Sequence, residues 1–214
     1  MTTLTLSPAT PGTLTLSTST LPVGGYSLLS DGTTVYAYDK HGLLVTSGAD
    51  GGAVVQYLLG LLPATGGTIV FLNDGNAFPW ASVPALPKDV SRRLLLQGNG
   101  STVTLSSGGP RFLDFDRTAD YDTFQNIELD GFVIDANNVG GKHHVIIGTY
   151  VSGSNSSRLN FQNLVVKNIR AINVLRDTDT ATNHRLGVWI VTADGQSAVA
   201  QTMNDILIEN VRVE

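Results

Sequence analysis

The sequence predicts an all-β protein in which the residues after position 90 wind as stacked coils of parallel strands. The composition combines 42% apolar residues with only 14% charged residues and includes 23 glycines, whereas charged residues make up about 25% of a typical globular domain. A pattern of alternating apolar residues, followed by Gly or Asn, recurs four times between residues 93 and 213. One segment alone, after Asp50, has the apolar spacing of a helix.

The bulk properties exclude several classes of protein. The 214 residues include no cysteine, which excludes disulfide bonds and thiolate metal sites. The net charge of −5 disfavours binding to nucleic acid or to an anionic membrane. No apolar run approaches the roughly 18 residues of a membrane span, and the start, MTTLTLSPATPG, lacks the features of a secretory signal. We expect no nucleic-acid partner and no membrane insertion.

Residues 1–22 are rich in Thr, Leu and Ser and contain TLTLS twice, at 3–7 and 13–17. Prolines at positions 8, 11 and 22 interrupt the alternation, and proline is poorly tolerated inside a sheet. We therefore expect short strands or an extended arm that serves for attachment, and not a domain.

Residues 23–49 predict a small β-meander. Asp31 and Gly32 provide a turn signal, and the next strand contains Tyr36 and Tyr38. This segment is expected to lead into the main domain, which we place at 50–214.

The segment DGGAVVQYLLGLLP, which begins at Asp50, predicts a short capping helix. Eight of the ten positions from 53 to 62 carry apolar side chains. Asp50 is a suitable N-cap residue, and Pro63 ends the run. Because the helix is apolar on nearly every side, we expect it to be buried over one end of the fold.

Four segments of the remaining chain align as a repeat: RLLLQGNG (93–100), NIELDGFVI (126–134), NLVVKNIRA (163–171) and DILIENVRV (205–213). Two apolar columns follow, one of Leu94, Ile127, Leu164 and Ile206, and the other of Leu96, Leu129, Val166 and Ile208. The offsets of 33, 37 and 42 residues fit coils with loops of variable length.

A turn column follows the apolar columns and contains Gly98, Gly131, Asn168 and Asn210. Gly and Asn enter the left-handed backbone region at low cost, which a sharp bend between two strands requires. The column before it, Gln97, Asp130, Lys167 and Glu209, is expected to point outward as a charge ladder that fixes the register.

The final stretch, NDILIENVRVE, contains alternating apolar residues and predicts two short strands hinged at Asn210, with an open apolar edge. A terminal coil normally needs a cap. We expect either a longer polypeptide or a second subunit to cover this edge.

The stretch GADGGAVVQYLLGLLPATGGTIVFLNDG (48–75), followed by RRLLLQGNGSTVTL (92–105), resembles the opening of pectate-lyase-like right-handed parallel β-helix proteins. These proteins combine a Gly-Asp stretch, a capping helix, Gly-Gly-Thr and a strand that ends in a Gly-rich turn. Residues 26–48 look like the β lead-in of viral and microbial surface members. An acidic pair and a Thr that often precede the capping helix are missing here, and only about four coils are present.

The resemblance implies a right-handed parallel β-helix and leaves three functions open. The first is a structural, host-attachment protein of a bacteriophage tail, located in the virion as a homotrimer that contacts other tail proteins and cell-surface polysaccharide. The second is a polysaccharide lyase or glycoside hydrolase. The third is a non-catalytic adhesin on a microbial surface. We favour the first, and we expect no cofactor.

Catalysis on a polysaccharide needs two or three converging ionisable groups. Asp114, Asp116 and Asp135 are the candidates for catalysis, although Asp114 and Asp116 are expected to face solvent or a loop. The repeat offsets place Asp135 beside Ile172 and Thr102, without an acidic neighbour directly above or below it.

Candidates for carbohydrate binding are Arg170 and Arg212, which share an outward column with Val133, and Trp80. The alternatives are a solvated face for the arginines and core packing for the tryptophan. Asp177 and Asp179 alternate like calcium ligands but lack the Gly and Glu of an EF-hand, so we expect no metal. The adjacent pair His143 and His144 is interpreted as a loop or subunit contact.

Overall fold

The structure, a computed structural model, describes residues 25–106, 111–115, 122–137, 147–148, 159–174, 188–189 and 203–214. Within these ranges the chain forms thirteen strands and one helix. The elements are β1 (Gly25–Ser30), β2 (Val35–Tyr38), β3 (Leu44–Gly48), α1 (Gly51–Leu61), β4 (Gly66–Phe71), β5 (Phe78–Trp80), β6 (Ala85–Leu86), β7 (Arg93–Leu105), β8 (Asp114–Phe115), β9 (Asp122–Asp135), β10 (Ile147–Gly148), β11 (Leu159–Ile172), β12 (Val188–Trp189) and β13 (Met203–Val213).

One large sheet contains nine of these strands. Its order is β13-β11-β9-β7-β4-β1-β2-β3, and β5 pairs with β7 beside this path. All neighbours from β13 to β1 are parallel, whereas β1, β2 and β3 are antiparallel. Two small parallel pairs, β6–β8 and β10–β12, lie apart from it. The prediction of an all-β protein is confirmed, with parallel pairing in its main sheet.

The predicted meander is confirmed as β1, β2 and β3. The turn between β1 and β2 is organised by Asp31, whose Oδ1 accepts hydrogen bonds from the backbone N–H groups of Thr33 and Thr34 at 2.9 and 2.7 Å. Such side-chain bonds to the following backbone are the reason that Asp favours turns. The predicted arm, 1–22, lies outside the described residues.

The helix α1 begins after Asp50, as predicted, because the Asp50 carboxylate accepts a hydrogen bond from the N–H of Gly52. Val54, Val55, Leu58 and Leu59 are buried. The prediction of burial on nearly every side is wrong: Tyr57 and Leu61 are 52% and 44% exposed. The helix packs one face against the core, and its other face meets solvent.

Membrane crossing by a helix requires a longer apolar helix than this one. Among the described residues no helix is long and apolar enough to cross a membrane, and α1 has 11 residues.

The two predicted apolar columns are confirmed by the strand register. Ile127 of β9 pairs with Leu94 of β7 and with Leu164 of β11, and Leu164 pairs with Ile206 of β13. The second column stacks in the same way, and its members are buried except Ile208, which is 50% exposed. Alternate side chains of each strand therefore share one core.

The predicted turn column is confirmed at three of its four positions. Gly131, Asn168 and Asn210 have positive φ angles of 78°, 55° and 50°. Each of the strands β9, β11 and β13 therefore bends at this residue and continues in a new direction. The bend in β7 differs, because Gly98 is not left-handed and the prediction for this residue is wrong.

In β7 the left-handed residues are Asn99 and Gly100, with φ of 52° and 78°. Gly98 is needed for a different reason: a Cβ at this position would lie 2.4 Å from the carbonyl oxygen of Gly131. Since Gln97 pairs with Asp130 and Ser101 pairs with Phe132, β7 has three residues where β9 has one. The bend in β7 is therefore a bulge of two extra residues.

This bulge corrects the predicted neighbour of Asp135. The structure pairs Asp135 with Ile172, as expected, but also with Thr104 in place of Thr102. The offset between paired residues of β7 and β9 is 33 residues before the bend. It is two residues smaller after the bend.

A second column of left-handed residues was not predicted. Asn126, Asn163 and Asp205 have φ of 57°, 51° and 55° and precede the first apolar column. The Asn163 Nδ2 donates to the Asn126 Oδ1 at 2.9 Å, and the Asn126 Nδ2 donates to the carbonyl of Val90. The strands β9, β11 and β13 therefore each contain two left-handed bends, and side-chain amides connect the bends of neighbouring strands.

Candidate carbohydrate-binding face

Beyond the bend formed by the β7 bulge, Gly131 and Asn168, the side chains of β7, β9 and β11 alternate between the core and solvent. Val103, Ile134 and Ala171 point inward and are at most 1% exposed. The residues between them point outward, in register from strand to strand. We call this surface the outer face, and it consists of Thr102, Thr104, Val133, Asp135, Arg170, Ile172, Arg212 and Glu214.

Two arginines and one carboxylate dominate the outer face. Arg170 of β11 pairs with Arg212 of β13 in the sheet. The Arg170 Nη2 lies 2.8 Å from the Glu214 Oε2, and the Arg212 Nε lies 2.5 Å from the Glu214 Oε1. One carboxylate thus bridges two guanidinium groups, with one oxygen directed to each.

The contact between Arg170 and Glu214 favours the charged form of both side chains. Hydrogen bonding from Arg170 lowers the pKa of Glu214 below its usual value, and Arg212 acts in the same direction. The same contact with Glu214 raises the pKa of Arg170. Two positive charges and one negative charge leave the cluster with a net charge of +1.

Asp135 occupies the neighbouring column of the outer face. Its Oδ1 accepts hydrogen bonds from the backbone N–H of Asn137 at 2.8 Å and from the Nδ2 of Asn173 at 2.9 Å. The next carboxylate along this column is Glu214, two strands away, which corresponds to roughly 10 Å at the usual strand spacing. Asp135 therefore connects two adjacent strands. That Asp135 and Glu214 lie in the same column was not predicted from the sequence.

Asp114 lies outside the outer face. It belongs to β8, which pairs with β6, and its carboxylate pairs with Arg111 and accepts a hydrogen bond from the N–H of Phe115. The structure places Asp114 and Asp135 in different sheets and does not bring them together on one face.

Trp80 is 1% exposed, which contradicts its assignment as a carbohydrate contact. Its indole N–H donates to the carbonyl of Phe112 at 2.9 Å, and its ring lies 5.0 Å from the Phe112 ring. Phe112 in turn packs on Phe132. The tryptophan belongs to an aromatic cluster of the core, which is the alternative that the sequence had left open.

The predicted charge ladder lies on the outward side of the strands, immediately before the bend that contains Gly131, Asn168 and Asn210. Gln97, Asp130, Lys167 and Glu209 are in register. The Lys167 Nζ lies 2.8 Å from the Glu128 Oε1 and 3.6 Å from the Asp130 Oδ2, and Arg93 also pairs with Glu128. Sequence reasoning missed Glu128, although its place two residues before Asp130 puts it on the same face of the strand.

The remaining candidates, Asp116, Asp177, Asp179, His143 and His144, lie outside the described residues. Within the residues that the structure describes, no group of three or more His, Cys, Asp or Glu side chains is placed to hold a metal ion.

The fold and the outer face together define an all-β protein with a parallel sheet and a charged, solvent-facing surface. No protein-family model, no curated protein and no solved structure matches the chain.

Proposed function

We propose that the chain is a structural, host-attachment protein of a bacteriophage tail, in which a right-handed parallel β-helix forms a rigid rod. The single observation that carries the proposal is the in-register stack of β7, β9, β11 and β13, in which β9, β11 and β13 bend at aligned left-handed residues and β7 bends at the same height through its bulge. Successive coils of a β-helix have this geometry, because their strands pair in parallel and bend at the same positions. The resemblance of residues 48–75 and 92–105 to pectate-lyase-like parallel β-helix proteins, and of residues 26–48 to the lead-in of viral and microbial surface members, supports the same assignment.

The contacts between strands support the mechanical part of the proposal. Asn210 donates to Asn168, and Asn163 donates to Asn126, each from one strand to the next. Lys167 connects β11 to β9 through Glu128. Each strand inside the stack also has a backbone ladder on both sides. A rod held in this way resists bending and local opening, as a tail appendage requires.

Assembly as a homotrimer, together with other tail proteins in the virion, is part of the proposal. Leu207, Ile208 and Val213 of β13 are 47%, 50% and 48% exposed. Half-exposed aliphatic side chains along this edge strand provide apolar area for contact with another polypeptide.

Contact with cell-surface polysaccharide is assigned to the outer face. It presents threonine hydroxyls, guanidinium groups and carboxylates, which hydrogen bond to sugar hydroxyls. Val133 and Ile172 lie among them, partly buried, and offer aliphatic surface to the C–H groups of a sugar ring.

Immunogold electron microscopy of native phage particles, with antibody raised against this chain, tests the location. Labelling of the tail is expected, and unlabelled particles would contradict it. Sedimentation of the purified chain tests the assembly: we expect an elongated trimer, whereas a stable compact monomer would argue against the rod.

The enzymatic alternative is tested separately. The chain is incubated with acidic polysaccharides, and new reducing ends or the absorbance of unsaturated uronates are measured. Sustained cleavage that an Asp135→Asn or Asp114→Asn variant abolishes would replace the structural assignment with a polysaccharide-degrading enzyme.

A further inference from the structure

We propose that Arg170 and Arg212 form a clamp for the anionic group of an acidic polysaccharide, and that Glu214 fills this clamp while no ligand is bound. The inference rests on the proposed contact with polysaccharide. It adds the chemical class of the ligand and the group that the ligand displaces.

The geometry of the clamp is suited to a carboxylate. A guanidinium group is planar, stays protonated and directs several N–H donors to a carboxylate. Because Arg170 and Arg212 are paired neighbours on adjacent strands, their side chains start about 4.8 Å apart. The Glu214 carboxylate sits between them, with one oxygen on each, and thus marks the position that a sugar carboxylate would take.

The Glu214 side chain is well placed to leave. The side chains of Arg170 and Arg212 are 56% and 75% exposed, and ion pairs in contact with water contribute little to stability. The backbone of Glu214 is held independently, since its N–H donates to the carbonyl of Ala171 at 2.9 Å. The carboxylate can therefore rotate out of the clamp while the strand remains paired.

The neighbouring residues of the outer face orient the ligand. Val133 continues the arginine column towards β9, and Ile172 lies in the next column beside Asp135. The charge of Asp135 repels a second anion, so the uncharged C–H face of a sugar ring is expected over Val133 and Ile172. The anionic group then faces Arg170 and Arg212.

The test measures the affinity of the full chain for oligogalacturonate, an acidic probe, and for dextran oligosaccharide, a neutral one, by isothermal titration calorimetry. Removal of the competing carboxylate by Glu214→Gln is expected to strengthen oligogalacturonate binding about three- to tenfold. Arg170→Gln and Arg212→Gln are each expected to weaken it about tenfold or more. Dextran binding is expected to remain the same in every variant.

Glu209→Gln is the matched control, because Glu209 is an exposed carboxylate of the same strand before the bend and its loss changes the net charge equally. An affinity gain with Glu214→Gln that Glu209→Gln does not reproduce supports the clamp. Equal gains from both variants would overturn it, since they would reflect net charge alone.

Absence of oligogalacturonate binding in both wild type and Glu214→Gln would also overturn the clamp. The Glu214→Gln result keeps the test decisive even where an arginine variant fails to fold. Immunogold labelling of the tail reports on the proposed function independently, so failure of the clamp and failure of the tail assignment are distinguishable.

Discussion

The side chain of Asn210 donates from Nδ2 to the Oδ1 of Asn168 on the adjacent strand, at 2.8 Å. Asn168 donates in turn to the Asp130 Oδ1 at 2.7 Å. Both asparagines are left-handed, a conformation that Asn adopts more readily than other residues with a side chain. One residue type thus forms the bend and connects it to the next strand, which fixes the register of β9, β11 and β13.

Replacement of Asn168 by Ala is therefore expected to lower the free energy of unfolding by about 2–4 kcal/mol. Two exposed interstrand hydrogen bonds are lost, at about 0.5–1 kcal/mol each, and alanine is strained at a φ of 55° by about 1–2 kcal/mol. Asn168→Gly also removes the hydrogen bonds, but glycine adopts a positive φ without strain. A smaller loss of about 1–2 kcal/mol is therefore expected. Equal losses in urea denaturation would contradict a backbone role for Asn168.

The ion pairs of Glu128 are expected to stabilise the stack measurably. Although burial opposes ionisation of Glu128, its contacts with Lys167 and Arg93 lower its pKa. Glu128→Gln is expected to cost about 1 kcal/mol at low salt, after allowance for partial exposure, and less at 1 M salt. Thermal unfolding at the two salt concentrations measures this.

Glu209→Gln is the control for Glu128, because no ion pair of Glu209 is found among the described residues. We expect a change below about 0.5 kcal/mol for this variant. A salt-independent loss in Glu128→Gln would show that packing, and not charge, accounts for the effect.

Two buried serines are expected to respond in opposite ways to replacement by alanine. Within the described part of the chain, the Ser101 hydroxyl has no hydrogen-bond partner, although Ser101 is fully buried. Ser101→Ala is therefore expected to be neutral or to stabilise by up to about 1 kcal/mol. The Ser30 hydroxyl donates to the carbonyl of Ala77 at 2.7 Å and accepts from the N–H of Gly32, so Ser30→Ala is expected to cost about 1–2 kcal/mol. Chemical denaturation of both variants tests the contrast, which a loss in Ser101→Ala would refute.

The repeat was predictable because its signals are local. Alternation of apolar residues has a period of two in any strand, and left-handed bends select Gly or Asn. The bulge at Gly98 was not predictable, because two extra residues at a bend leave the apolar pattern on either side intact. Their effect appears in the pairing beyond the bend, from Ser101 with Phe132 to Thr104 with Asp135.

The candidate site was predicted in part for the same reason. The repeat alignment placed Arg170 and Arg212 in one outward column. Their bridge by Glu214 depends on how side chains of paired strands meet, which the periodicity does not contain. Burial of Trp80 and exposure of Tyr57 likewise depend on the elements that pack against them, and neither is a local property.

The turn at Asp31 predicts a specific dependence on pH. Hydrogen bonds from the backbone of Thr34, and then from Thr33, lower the pKa of Asp31 from its usual 3.8 to about 2, with a further contribution from Tyr36. Since the pKa is lower in the folded state, the charged carboxylate stabilises the fold above pH 3.8. This contribution is lost as the pH falls from 3.8 to about 2.

Urea denaturation of wild type and Asp31→Asn between pH 5 and pH 2 measures the contribution. The wild type is expected to lose its advantage over the variant progressively below pH 3.8, because the variant has no carboxylate to protonate. Thr33→Ala removes the hydroxyl donor of this turn and is expected to raise the pKa of Asp31 part of the way towards 3.8, as measured by carboxyl NMR. If Asp31 titrated near 3.8 in the wild type and the difference between wild type and Asp31→Asn were independent of pH, the hydrogen bonds at this turn would not discriminate between the two protonation states.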